Sequence, residues 1–145
     1  MPMESSPNGG PQASGTAKRI LIVEDERVTR RTLELLLAGQ GYQVVTAVDG
    51  SEALAEAQDN PPDLILLDLG LPSDPFGGGN FDGFGVMQWL SRRMPDKKIP
   101  IIVLTARQDA ASRKTAYDLG ADLYMTKPFE AEQLFKAIRI VLGME

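Results

Sequence analysis

Four apolar runs of the sequence each end at polar residues that could take part in phosphoryl chemistry. They are Ile20–Val23 before Glu24 and Asp25, Leu64–Leu67 before Asp68, Ile101–Leu104 before Thr105, and Leu123–Thr126 before Lys127. In a parallel sheet the carboxyl ends of all strands lie at one edge, where open α/β folds bind ligands. We therefore expect carboxylates, a hydroxyl and an ammonium group from distant parts of the chain to meet there.

The chemistry of such a site follows from its charge. The carboxylates of Glu24, Asp25 and Asp68 would repel one another by about 4 kcal/mol per pair at ~4 Å and an effective dielectric of 20. Their three negative charges would be balanced by Lys127 and one Mg²⁺, a cation that prefers oxygen ligands. Mg²⁺ neutralises charge in phosphoryl transfer, and a nearby carboxylate can attack phosphorus to form an aspartyl phosphate. Thr105 and Lys127 would hold the other phosphoryl oxygens.

Taken singly, each of these residues has an ordinary structural alternative. Glu24 and Asp25 could form a solvated loop or favour a helix N-terminus, and Asp68 could be a turn residue. Thr105 could cap a helix, and Lys127 could be a surface lysine. Their joint occurrence at four strand ends, with complementary chemistry, favours a single site.

Composition excludes several other functions. The 145 residues include 43% hydrophobic residues and have a net charge of −5, with no cysteine and no histidine. Disulfides, thiolate or histidine metal sites, Ser-His-Asp triads and an internal phosphohistidine are therefore excluded. The charge argues against nucleic-acid binding through this domain, and no apolar stretch approaches the ~18 residues of a membrane span. The absence of cysteine fits a cytoplasmic location.

The first 17 residues differ from the rest. Nine of the residues from Met1 to Ala17 are Pro, Ser or Gly, and only Glu4 is charged. Such a segment cannot bury enough apolar surface to fold, so we predict a disordered N-terminal tail followed by one domain over residues 18–145.

From Lys18 onward, strand and helix patterns alternate five times. Strands are predicted at 19–23, 42–47, 63–67, 99–104 and 122–126, and helices at 27–38, 49–58, 83–93, 109–119 and from about 130. Continuous apolar runs in the first, third and fourth strands indicate burial on both faces. This pattern predicts a flavodoxin-like, doubly wound parallel sheet of the α/β class, with strand order 2-1-3-4-5 and five helices.

Apolar spacing predicts the buried faces of two helices. The predicted inward residues are Val28, Thr32, Leu35 and Leu36 in the first helix, and Leu134, Ile138, Val141 and Leu142 in the last. Asp49 is the expected N-cap of the second helix.

Four segments together resemble the receiver domain of two-component response regulators. They are ILIVEDE (20–26), DLILLDLGLP (63–72), IIVLTAR (101–107) and GADLYMTKPF (120–129). The resemblance covers about residues 18–143. Each motif is weak alone, but all four in order and at matching spacing are specific.

The resemblance implies a role for each matching residue. Asp68 would be the phosphoacceptor, and Glu24 and Asp25 would form the acidic pair. Asp25 would bind Mg²⁺ directly, whereas Glu24 would act mainly through water. Gly70 would supply a backbone carbonyl ligand. Thr105 and Lys127 would bind the phosphoryl group, Tyr124 would be the switch aromatic that turns inward when Thr105 moves, and the Lys127–Pro128 bond would be cis.

The resemblance also implies partners. A sensor histidine kinase or phosphotransfer protein would donate the phosphoryl group, and a downstream effector domain or protein would respond to the changed face of the fourth helix, fifth strand and fifth helix. The chain would catalyse only its own Mg²⁺-dependent phosphorylation and dephosphorylation. A homodimer through that face is possible in the family; the chain keeps Arg113 and Asp122 but has Leu123 and Ala137 where charged residues are common.

Two departures from the family pattern leave alternatives open. Ser73–Phe81 adds a nine-residue loop directly after the phosphoacceptor strand, either as a tolerated insertion or as a lid or partner contact. Gly70 and Arg107 occupy positions that influence how fast the phosphoryl group is lost. A non-phosphorylated interaction module of the same fold is the alternative function. A phosphohydrolase with an Asp nucleophile would need a second Asp where Gly70 stands.

Overall fold

A computed structural model describes residues 17–72 and 82–144, in which strands and helices alternate. The elements are β1 (Arg19–Val23), α1 (Arg27–Gly39), β2 (Gln43–Ala47), α2 (Gly50–Asp59), β3 (Leu64–Leu67), α3 (Gly83–Arg93), β4 (Ile101–Thr105), α4 (Ala110–Asp118), β5 (Leu123–Thr126) and α5 (Ala131–Val141). The predicted disordered tail, except for Ala17, and the Ser73–Phe81 loop lie outside the described residues.

The five strands form one parallel sheet in the order β2-β1-β3-β4-β5. This confirms the predicted flavodoxin-like topology. β3 and β4 are buried along their whole length, because runs of Leu, Ile and Val have no polar face to present to water. The strand carboxyl ends therefore meet at one edge.

Alternate strand residues supply two cores, one on each face of the sheet. Leu21 and Val23 belong to the core covered by α2, α3 and α4. Ile20 and Ile22 belong to the core covered by α1 and α5. Helices on both faces make the sheet doubly wound, as the continuous apolar strands predicted.

The predicted buried face of α1 is wrong except at Leu36, which packs against the core. Val28 and Leu35 are 69% and 57% exposed, whereas Leu33 and Leu37 are buried. α1 contains several leucines in succession, so more than one apolar stripe can be drawn along it. The stripe that packs runs through Leu33 and Leu37. In α5 the predicted face is confirmed, since Leu134 and Ile138 are buried and Val141 and Leu142 pack beside them.

Element boundaries differ from the prediction by one or two residues. The largest difference is in β4, which was predicted from Ile99 and begins at Ile101. Pro100 has no N–H to donate to the sheet, although its carbonyl accepts a hydrogen bond from the Ile65 N–H.

Carboxylate side chains fix the starts of four helices near the carboxyl edge. Asp49, Asp82 and Asp109 accept hydrogen bonds from backbone N–H groups of α2, α3 and α4, which confirms Asp49 as an N-cap. Glu26 caps α1 in the same way. Caps of this kind satisfy N–H groups that have no partner within the helix. Among the described residues, no helix is both long and apolar enough to cross a membrane.

Candidate functional site

An acidic cluster lies at the carboxyl edge of the central strands. Glu24, Asp25 and Asp68 each bring a carboxylate oxygen within 4.8 Å of the others. Two backbone hydrogen bonds of the parallel sheet continue beyond the strand ends and fix the backbone of Glu24 and Asp68. The Glu24 N–H donates to the Ala47 carbonyl, and the Asp68 N–H donates to the Val23 carbonyl. Glu24 and Asp68 are buried, whereas Asp25 is exposed. The cluster therefore has one side open to water, from which an ion can enter.

Lys127 joins two of these carboxylates from the end of β5. Its Nζ donates to Glu24 Oε1 at 2.6 Å and to Asp68 Oδ2 at 3.0 Å. Its backbone N–H donates to the Thr105 carbonyl at 2.8 Å, which ties the chain after β5 to the end of β4. The Lys127–Pro128 peptide bond is cis, as expected. The four sequence segments thus meet where the fold predicted.

One lysine does not neutralise this cluster. Burial raises the pKa of Glu24, and the neighbouring charge of Asp68 raises it further, against the hydrogen bonds from Lys127 and the Glu26 N–H. Burial would lower the pKa of Lys127, but its hydrogen bonds to Glu24 and Asp68 outweigh that effect and leave it raised. Ionisation of Glu24 is therefore less favourable than in water, even though Lys127 contacts its carboxylate. An additional cation would favour the ionised form.

Gly70 orients the carboxylate of Asp68. The Gly70 N–H donates to Asp68 Oδ1 at 3.0 Å, while Lys127 holds Oδ2. A Cβ built at Gly70 would lie 3.6 Å from Oδ1. Any side chain here would thus lie directly against the carboxylate, and glycine leaves that approach open. A metal-binding role for the Gly70 carbonyl stays a prediction.

Gly83, the first residue of α3, is a positioning residue that the sequence analysis did not select. A Cβ at this position would lie 2.7 Å from Leu69 Cα and 2.8 Å from the Asp68 carbonyl oxygen. The start of α3 therefore packs directly on the backbone that bears Asp68. The available sequence signal was the Asp82-Gly83 pair that opens the helix, but this pair does not reveal the close approach.

Thr105 and Arg107 flank the cluster at the end of β4. Thr105 is 1% exposed, and its hydroxyl accepts from the Arg107 N–H at 3.4 Å. The Arg107 guanidinium lies 5.7 Å from the centre of the Phe84 ring and donates to the Leu69 carbonyl at 3.5 Å. Arg107 therefore extends along the edge beside Asp68, next to the start of α3.

Tyr124 is in the inward position, with 6% of its surface exposed. Its hydroxyl donates to the Arg107 carbonyl at 2.9 Å, and the Arg113 guanidinium lies 4.7 Å from the centre of its ring. Burial raises the pKa of the Tyr124 phenol, as does the charge of Asp109. The ring is thus connected to the backbone two residues after Thr105 and is covered from outside by α4.

Tyr124→Phe is expected to lower the free energy of unfolding by about 1 kcal/mol, because the Arg107 carbonyl loses its donor in a largely buried setting. Urea denaturation of the variant and the wild type measures this difference. Tyr117→Phe is the matched control, since Tyr117 is exposed on α4 and should change little. Equal stability of Tyr124→Phe and wild type would show that the hydroxyl contact does not hold the ring.

The structure brings the predicted site residues together in two layers. The acidic centre consists of Glu24, Asp25, Asp68 and Lys127. Gly70 and Thr105 flank this centre, and Tyr124 lies behind Arg107. Glu26, which adjoins the acidic pair in sequence, instead accepts from Val28 and Thr29 at the start of α1, and its hydrogen bonds with Thr29 lower its pKa.

Comparison with known proteins agrees with this fold and site. Residues 20–139 match the response regulator receiver domain family. The chain is 46% identical over 125 residues to a Cyanophora paradoxa protein named "Probable transcriptional regulator ycf27", covering 86% of this chain and 48% of the relative. A CheY-like response regulator receiver domain protein from Methanospirillum hungatei has a TM-score of 0.78 and 26% identity, covering 88% and 95% of the two chains.

A third comparison concerns a solved structure with a bound metal. The receiver domain of sensor histidine kinase PA1611 from Pseudomonas aeruginosa has a TM-score of 0.76 and 29% identity, covering 88% of this chain and 99% of that chain. That domain has a magnesium ion coordinated in its active-site cleft. The present chain belongs to the response regulator receiver domain family, and so is a receiver domain of two-component signalling. It spans about half the length of the curated relatives that it matches.

Proposed function

We propose that Asp68 accepts a phosphoryl group in an Mg²⁺-dependent reaction. The observation that carries this proposal is the geometry of its carboxylate. Asp68 is held by the Gly70 N–H and the Lys127 ammonium, beside Glu24 and Asp25, at a solvent-facing edge. A carboxylate fixed in this way is oriented for attack instead of being free to rotate.

The donor set suits Mg²⁺. Asp25 and Asp68 would bind the ion directly, with the Gly70 carbonyl as a further ligand and Glu24 acting mainly through water. Carboxylate and carbonyl oxygens together with water are the ligands that Mg²⁺ prefers. Burial raises the pKa of Glu24, and the neighbouring charge of Asp68 raises it further, so a cation would favour the ionised form of Glu24. When bound, the ion would supply charge neutralisation for the transferring phosphoryl group.

Asp68, Lys127 and Thr105 would each have a separate role in the transfer of the phosphoryl group. An oxygen of Asp68 forms the new bond to phosphorus, while the bond from phosphorus to the imidazole nitrogen of the donor breaks and its electron pair stays on that nitrogen. Lys127 would pair with the phosphoryl oxygens, and the Thr105 hydroxyl would donate to another of them. In this proposal the chain would catalyse only the phosphorylation and dephosphorylation of its own Asp68.

The signal would leave the site through β4 and β5. Movement of Thr105 toward the phosphoryl group would pull on Arg107, whose carbonyl holds the Tyr124 hydroxyl. Tyr124 lies under α4, so the face formed by α4, β5 and α5 would change its population of conformers. A sensor histidine kinase or phosphotransfer protein would be the donor. Because the first relatives are named as transcriptional regulators, control of transcription is the output that we propose.

The two charged residues that the chain keeps for a homodimer through α4, β5 and α5 have partners within the chain. The Asp122 carboxylate accepts from the Ile101 N–H at 2.9 Å, and Arg113 lies over Tyr124. Both groups are therefore engaged within the chain, which weakens the argument for a charge-paired dimer on this face.

Intact-mass measurement tests the proposed phosphorylation. Incubation with acetyl phosphate and Mg²⁺ should add one phosphoryl group to the wild type and none to Asp68→Ala. Asp59→Asn, which removes an exposed carboxylate of α2, should behave as the wild type. Chelation of Mg²⁺ should prevent the addition. A wild type that acquires no phosphoryl group from small donors or from a phosphorylated kinase would contradict the proposal.

Mg²⁺ is expected to stabilise the folded chain even without a phosphodonor, since the ion binds only where the three carboxylates are assembled. At ten times its dissociation constant the stabilisation is about 1.4 kcal/mol, or roughly 5 °C in the melting temperature. Asp25→Asn should lose most of this shift, whereas Asp59→Asn should keep it. Sodium chloride at matched ionic strength controls for screening. Equal shifts in all three proteins would argue against the proposed ligands.

A further inference from the structure

A cavity of about 310 Å³ opens at the amino edge of the sheet, on the opposite side from Asp68. It lies between the end of α3, the start of β4 and the end of α4. Its apolar lining consists of Met87, Leu90, Met94, Ile99, Ile101 and Leu119. The volume is at the lower end of the range of roughly 300–1,000 Å³ that is typical of small-molecule sites.

The apolar lining is part of the core and not a surface patch. Met87, Leu90, Ile99 and Ile101 are each at most 8% exposed and belong to the core on the α2, α3 and α4 side. The cavity is open to solvent on one side, and its floor reaches these core side chains. Two of the lining residues are methionines, whose flexible thioethers adapt to ligands of different shape.

The mouth of the cavity is basic. Lys97 and Lys98 line it, both are exposed, and neither has an ion-pair partner within the described part of the chain. The described lining residues include no acid. In a chain of net charge −5, this local excess of positive charge is distinctive.

The acids near this mouth do not neutralise the two lysines. Asp118 pairs with Lys114 at 2.7 Å, and Asp122 accepts from the Ile101 N–H. Asp96 is exposed in the loop after α3 and makes no ion pair among the described residues. A ligand that brings one negative charge to Lys97 and Lys98 would therefore complement the rim, while its apolar part would displace water from the lining.

From these observations we infer that the cavity binds a small amphipathic anion, with an apolar body among the methionines and a carboxylate at Lys97 and Lys98. This inference does not depend on phosphorylation of Asp68, because the two sites lie at opposite edges of the sheet. Burial of each methylene from water should strengthen binding about four-fold, so an eight-carbon chain supplies a measurable affinity.

Methyl NMR with octanoate as the probe tests the site, because the methionines provide internal controls. In protein labelled at the methionine methyl groups, octanoate should shift the Met87 and Met94 signals in a saturable way. Met125 and Met144, which do not line the cavity, should not shift. The same result should hold in Asp68→Ala, which separates this site from the proposed phosphorylation. Equal, non-saturable shifts of all four signals would overturn the inference.

Charge-matched variants test the role of the rim. Lys97→Gln/Lys98→Gln should weaken octanoate binding about three- to ten-fold, as expected for two solvent-exposed charges. Lys18→Gln/Lys136→Gln, which removes two exposed lysines elsewhere, should leave the affinity unchanged. Octanol, which has no charge, should bind both double variants equally. An unchanged octanoate affinity in Lys97→Gln/Lys98→Gln, or tighter binding of octylamine than of octanoate, would overturn the proposal of an anion site.

Discussion

Lys127→Met is expected to lower the free energy of unfolding by about 2–3 kcal/mol at neutral pH. The ammonium contacts Glu24 and Asp68, whose side chains are only 3% and 11% exposed. Removing one partner of a buried ion pair leaves charge without compensation, which typically costs 3–5 kcal/mol. The value expected here is smaller because the Lys127 side chain is 20% exposed, so water screens part of the interaction.

The loss in Lys127→Met should depend on pH. The folded-state pKa of Glu24 lies above its ordinary value of 4.5, so the cost of ionising Glu24 in the folded chain grows as pH rises above 4.5 and is complete above the folded-state pKa. Below about pH 4.5 Glu24 is protonated, and the two carboxylates no longer repel. The destabilisation should therefore be small in acid and reach its full size at neutral pH. The pKa of Lys127 is raised above 10.5, so the contribution of Lys127 in the wild type is lost in strong base, as pH rises through that raised pKa.

Denaturant unfolding at pH 4 and pH 7 measures both effects. Lys136→Met is the matched control, since Lys136 is exposed on α5 and the lysine that pairs with Glu24 and Asp68 is Lys127. Glu24→Gln in the Lys127→Met background should recover part of the stability, because it removes one of the two uncompensated charges. A destabilisation that is the same at both pH values, or no recovery in the double variant, would contradict this electrostatic account.

Gly83→Ala is expected to destabilise the fold by about 2–3 kcal/mol. The added Cβ would lie 2.7 Å from Leu69 Cα and 2.8 Å from the Asp68 carbonyl oxygen. Both are backbone atoms next to a buried strand, so neither can rotate away as a flexible side chain could. The start of α3 would have to move from the sheet, and the backbone of Asp68 would shift with it.

A second glycine variant separates crowding from backbone effects. Gly39→Ala, at the end of α1, has nothing within 4 Å of the added Cβ. Alanine is also the better helix former by up to ~1 kcal/mol, so this variant should be neutral or slightly more stable. Gly83→Ala should therefore lower the urea midpoint, whereas Gly39→Ala should raise it slightly or leave it unchanged. A Gly83→Ala protein as stable as the wild type would show that α3 is not closely packed on Leu69.

The strand order and the edge where the site lies could be predicted because they depend on strong local patterns. β3 is apolar at every position, β1 is apolar after Arg19, and β4 is apolar up to Thr105, so each apolar run ends at a polar residue. In a parallel sheet this pattern is sufficient to bring Glu24, Asp68 and Thr105 to one edge.

Other features depend on which surfaces meet in three dimensions. α1 has leucines at successive positions, and only packing against β1 and β2 selects Leu33 and Leu37 over Leu35. The approach of Gly83 to Leu69 joins residues separated by a loop, so no local pattern reveals it. The link from Tyr124 to Arg107 uses a backbone carbonyl, which is independent of the side-chain type at that position.

The most direct measurement of the central claim locates the phosphoryl group on the chain. After reaction with acetyl phosphate and Mg²⁺, borohydride reduction converts an aspartyl phosphate into homoserine, which peptide mass spectrometry then places in the sequence. The proposed chemistry predicts homoserine at position 68 and unchanged aspartate at positions 25 and 59. Homoserine at another position, with Asp68 unchanged in protein that has gained the phosphoryl group, would contradict the assignment of Asp68 as the acceptor.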